Sequence, residues 1–187
     1  MLHTERWPVV YDSKELEDQI RSLTSAKCFS SKFYHHNVGP LGTVQQGDII
    51  SFSSGIPLIW SDANPGIIED IDYWLVVGNT CDFTRNIEDV PFTQISPIID
   101  IGSLERSKIT RSDLTNYKYS RRFYIPPWEA ASDDVTLIAD FQRIVTIHKS
   151  AFSLSNISRV ASMSLEGWVL LHCCLVRYLC RDDGRFD

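Results

Sequence analysis

The sequence predicts an α+β chain, mainly β, in which a β core sits between an N-terminal helix and a packed C-terminal helix. Short runs of Val, Ile, Phe and Trp bounded by Gly, Asn and Pro recur from Gly47 onward, the pattern of strands. Leu16, Ile20 and Leu23 recur at helical spacing near the start, and Leu165 to Leu179 is the most apolar segment of the chain. At 187 residues a single domain over 1–187 is expected. Its parts are an N-terminal helical extension over 1–40, a β core over about 44–150, a basic insertion over 103–122 and a final helix over 164–180.

The first helix is expected from Ser13 to about Thr24, behind a short strand at Val9-Val10. Asp12 can accept from the unpaired N–H groups of its first turn while Glu15 reaches back. His35 and His36 are adjacent, and neighbours on a strand point to opposite faces, so no shared metal is expected. Gly47-Asp48 predicts a turn into a strand at Ile49 to Phe52, followed by a short apolar piece, Gly55 to Trp60, and a polar loop, Ser61 to Gly66.

Trp74-Leu75-Val76-Val77 is apolar at consecutive positions, which predicts a central strand buried on both faces. Phe92 to Ile99 alternates like a half-buried strand, and Pro97, which cannot donate to a ladder, predicts an edge or a bulge. Tyr124 to Trp128 reads as an extended connector. Val135 to Phe141 and Gln142 to Ile147 read as one long strand or two joined by a kink. Ser164 is expected to cap the last helix, with Leu165, Trp168, Val169, His172, Leu175, Val176 and Leu179 on its apolar face.

A hydrophobic fraction of 43% with 22% charged residues excludes a disordered chain. The net charge of −6 argues against a protein that coats a polyphosphate with its whole surface. Five cysteines, Cys28, Cys81, Cys173, Cys174 and Cys180, are odd in number and lack paired spacing, so reduced thiols and a cytoplasmic location are expected. The first twelve residues lack the charge and apolar run of a secretory leader. The segment Leu165 to Leu179 carries Glu166, His172 and Arg177 and falls short of the ~20 residues of a membrane span. No membrane, metal or cofactor is expected.

The loop Gly78 to Pro91 joins the two most apolar strands and is the expected functional surface. Asp82 and Arg85 supply one base and one cation of the kind that RNA cleavage by a 2′-hydroxyl needs, with Thr80 a neighbouring hydroxyl. Three residues apart, they equally suit pairing with each other. Cys81 reads either as a nucleophile lacking a nearby histidine or as a small buried residue. Arg106, Lys108, Arg111, Lys118, Arg121 and Arg122 are interleaved with Tyr117 and Tyr119. Cations beside flat rings suit single-stranded RNA, and a solvated loop is the other reading.

Together GDIISF, WLVVGN, the strand ending ISPI, LIADFQRIVTIHKSAF and the closing helix resemble, in their order, the PemK/MazF family of toxins. The likeness runs from Gly47 to about Leu179, with Asp140, Arg143, Thr146 and Lys149 standing where the family's late strand pattern has them. It implies a small SH3-like antiparallel barrel and a place in a toxin–antitoxin or defence system. The family's ribonucleases carry Arg-Pro before the apolar run and a hydroxyl at the end of the next strand. Here Tyr73-Trp74 stand at the first place, and the second falls near Ile99, with Ser96 displaced from it. The expected function is therefore RNA or protein binding without the family's chemistry. The alternatives are a divergent metal-independent endoribonuclease using residues 80–85 and a pure protein-interaction module. Expected partners are single-stranded RNA, a protein such as an antitoxin, and a second copy of the chain.

Overall fold

The computed structural model describes residues 13–25, 32–35, 44–52, 56–58, 66–68, 71–102, 110–128, 135–154 and 157–180. In chain order its elements begin with α1 (Ser13–Ser25), β1 (Asp48–Phe52), β2 (Ile56–Leu58), β3 (Gly66–Ile68) and β4 (Tyr73–Val76). There follow α2 (Thr80–Thr84), β5 (Phe92–Asp100), α3 (Arg111–Thr115), β6 (Arg122–Ile125) and β7 (Leu137–Asp140). The chain continues through β8 (Val145–His148), α4 (Ala151–Leu154), β9 (Ile157–Ser162) and α5 (Leu165–Leu179). The strands at Val9-Val10 and the cap at Asp12 lie outside the described residues, as do His36 and Cys28.

Seven strands form one antiparallel sheet in the order β6-β7-β5-β4-β1-β9, with β8 joining β5 alongside β7. β2 and β3 pair separately. Among the described residues nothing joins β8 or β6 to β9, so the sheet does not close on itself. Gly47, at φ +89°, makes the turn that leads into β1, a conformation open to glycine at no steric cost.

β4 shows why its sequence is apolar at every position. Leu75 and Val77 enter a core shared with α1 and α5, while Trp74 and Val76 enter a second core with Ile50, Phe52, Ile95 and Ile147 on the opposite face. Successive side chains alternate across a strand, and here both faces are covered. The central position expected for this run is observed, between β1 and β5.

β5 departs from expectation at Pro97. The strand is not an edge there: it is flanked by β4 on one side, and on the other its partner changes from β8, paired through Ile95, to β7, paired from Ile98. A 3-10 turn at Phe141–Arg143 separates those two partners, so proline sits opposite the gap between them. Ser96 Oγ donates to Asp140 O at 3.0 Å across the gap. Of the two readings of Val135 to Ile147, the kinked pair is therefore the observed one.

Two further expectations are corrected. Tyr124 and Ile125 are strand residues of β6 rather than a connector, paired with Ile138 and Leu137. The described part of the basic insertion, from Thr110 on, is not a solvated loop throughout: Leu114 and Tyr117 belong to the main core and Arg122 opens β6. No helix among the described residues is long and apolar enough to cross a membrane.

Candidate functional site

Within the expected loop Gly78 to Pro91, Thr80–Thr84 form the short helix α2, and the segment Thr80 to Arg85 is fixed from three sides. The N–H groups of Val77 and Gly78 both donate to Gln94 O, at 3.1 and 3.0 Å, which carries the end of β4 over β5. Gln46 N donates to Thr80 Oγ1 at 3.0 Å. Lys149, a buried residue, donates from Nζ to Asp82 O at 2.7 Å and Arg85 O at 3.3 Å. A cation at the C-terminal end of a helical turn satisfies carbonyls that have no partner within it.

The predicted reactive groups meet one another. Arg85 Nη1 lies 3.6 Å from Asp82 Oδ1, with the arginine side chain 62% and the aspartate 29% exposed. Thr80 uses its oxygen to accept from Gln46. Cys81 is exposed, its Sγ 4.0 Å from Asp82 Oδ1, so it is not the small buried residue of one reading. Of the described histidines, His148 packs edge-on to Phe92 and bonds Ser150, His172 bonds Gln46, and His35 lines a cleft together with Thr80.

Between α2 and the start of α5 lies a cleft of about 330 Å³. His35, Gln45, Gln46 and Thr80 supply its polar side, and Met163, Ser164, Leu165 and Trp168 the rest. Gln46 organises it from beneath. Its Nε2 donates to Val77 O at 2.8 Å, and its Oε1 accepts from Trp168 Nε1 at 3.1 Å and from His172 Nε2 at 2.6 Å. Because a carbonyl can only accept and an indole N–H can only donate, these partners fix which end of the amide is oxygen. His172 must then carry its proton on Nε2. Burial pushes its imidazole below the usual histidine value, which favours this neutral form.

The residues expected to bind RNA are placed unevenly. Arg111 is exposed at the start of α3, and Arg121, also exposed, donates to Gln142 Oε1 at 3.4 Å. Arg122 and Tyr119 are half-buried. Lys118 pairs with Asp113 at 2.6 Å, and its hydrogen bond, with that of Thr110, holds the Asp113 carboxyl below its ordinary range. Tyr117 is 1% exposed, packed against Phe123 and Tyr124. A ring so buried has no face to offer a base, which corrects its expected stacking role. Arg106 and Lys108 lie outside the described residues.

Gln46 and Trp168 were not singled out by sequence. A polar residue before a Gly-Asp turn carries no distinguishing signal, and Trp168 reads as one more apolar helix residue. Among the described residues no cluster of His, Cys, Asp or Glu is arranged to hold a metal ion. No family model matches the sequence, and no curated protein matches it.

Proposed function

We propose that the chain is a binding component, PemK/MazF-like in its order of elements, that engages single-stranded RNA without cleaving it, within a toxin–antitoxin or defence system. The observation that carries this reading is the pairing of Asp82 with Arg85 at 3.6 Å. Cleavage through a 2′-hydroxyl needs a base on the nucleophile and a separate donor on the phosphorane. Here the two groups face each other, and the Thr80 oxygen is held by Gln46 N. An SH3-like barrel is the finer reading of the fold. It is supported by the second core, where Ile50, Trp74, Ile95 and Ile147 from four strands converge on the face away from α5.

A protein partner is the second reading, favoured by the exposure of Leu165 (68%) and Leu179 (72%) at the two ends of α5. Titrating a fluorescent single-stranded RNA at two salt concentrations without metal, while following anisotropy and strand length, separates the readings. Salt-sensitive binding of an intact strand is the expected result. Shortening that disappears in Arg85→Ala would establish the endoribonuclease instead. Absence of binding would turn attention to the protein partner, with light scattering of the chain and of Leu165→Glu reporting self-association.

A further inference from the structure

We infer that the cleft between α2 and the start of α5 receives one unstacked nucleobase. This rests on the RNA-binding reading and names its point of contact. The described residues that line this cleft include no Lys, Arg, Asp or Glu, and His35 is their one titratable side chain. Amide, hydroxyl and indole groups outnumber that imidazole, and such groups read shape and hydrogen-bonding pattern, which suits a base better than a phosphate. The volume, about 330 Å³, lies at the small end of ligand pockets and is room enough for one base.

The walls match such a ligand. Trp168 is locked by its bond to Gln46 Oε1, and His172 packs against it with ring centroids 4.1 Å apart. Trp168 lines the cleft and His172 does not. An aromatic surface held in one orientation is a stacking platform for any base. Thr80 Oγ1 accepts from Gln46 N and keeps its own proton for donation. The Gln45 side chain, exposed at the rim, makes no hydrogen bond among the described residues, and it offers a donor and an acceptor together. A donor beside an acceptor, N3–H and O4 of uracil or the 6-amino group and N1 of adenine, complements that set.

The test is two-dimensional NMR of the ¹⁵N-labelled full chain, with the Trp168 indole signal assigned by its loss in Trp168→Phe. Uridine and adenosine, which carry no phosphate, are the probes. A saturable shift of the Trp168 indole and of the Gln46 and Thr80 amides is expected, unchanged by salt. Gln45→Ala should leave the free spectrum otherwise intact and weaken binding about tenfold. Nucleosides that leave these signals still, or that move signals elsewhere, overturn the pocket. Labelled RNA added to the same sample keeps the two readings apart: RNA binding with an unmoved Trp168 signal defeats the pocket alone. Nucleoside binding without RNA binding keeps the pocket and defeats the RNA reading.

Discussion

Tyr117 holds two opposed energies in one residue. It ends α3 at φ 52°, with its N–H on Leu114 O at 2.8 Å and that of Lys118 on Asp113 O at 2.9 Å. This double bond pattern closes a helix and normally recruits glycine. A side chain there costs about 1–2 kcal/mol, offset by a ring buried against Phe123 and Tyr124. Its hydroxyl is buried with no hydrogen-bond partner among the described residues, and burial pushes the phenol well above its ordinary pKa. A buried unpaired polar group costs about 1–3 kcal/mol, so Tyr117→Phe should gain about 1 kcal/mol in urea unfolding. Tyr117→Gly relaxes the backbone yet should lose about 3 kcal/mol through the emptied core. Destabilisation by Tyr117→Phe would show that the hydroxyl has a partner.

A buried and a half-buried titratable residue pull the pH dependence in opposite directions. Asp48 is fully buried and accepts from Ser162 Oγ at 2.7 Å and Gln45 N at 2.8 Å, with Arg159 Nε at 3.6 Å. Burial outweighs these contacts and raises its carboxyl above the ordinary 3.8. Its contribution is therefore full below that value and is lost as pH rises through the folded pKa. His172 is lowered from 6.5 by burial, so its contribution is present above 6.5 and lost as pH falls through the folded value. Urea midpoints at pH 7 and pH 5 should fall less in His172→Gln than in the unaltered chain. Equal falls would remove His172 from the acid response.

At the scale of elements, α5 shows where sequence reading succeeds and where it stops. Its existence and its Ser164 cap, accepting from Gly167 N at 3.3 Å, were legible. Its face was not: the buried residues are Gly167, Leu170, Leu171, Cys173 and Cys174, whereas Leu165 and Leu179 are exposed. The helix is apolar almost all round, so hydrophobicity alone cannot select a side. Close approach does, because a Cβ on Gly167 would stand 2.6 Å from Phe33 O. Helix propensity favours Gly→Ala by about 1 kcal/mol, but Gly167→Ala should destabilise by about 1–3 kcal/mol through overpacking. Thermal unfolding decides between the two. Of the candidate site, residue type and spacing singled out Asp82 and Arg85, whereas the Gln46 contacts join positions 31 and 126 residues away. No local pattern reports such a pairing.

For the whole molecule, the two cores share one sheet, and their members alternate along β4. Leu75 lies in the core of α1 and α5, Trp74 in the other. Because β4 supplies both cores and pairs with β1 and β5, the two are expected to unfold as one cooperative unit. Leu75→Ala is expected to cost about 2–5 kcal/mol and Trp74→Ala about 3–5 kcal/mol. Each should lower a single transition, with far-ultraviolet circular dichroism and aromatic signals changing together. If one substitution instead separated the two signals, the cores would be independent units. The loop at Thr80 to Arg85, anchored through Gln94 and Lys149, would then fail with the core of Trp74 alone, and the cleft beside α5 would lose its α2 wall before the helix itself unfolded.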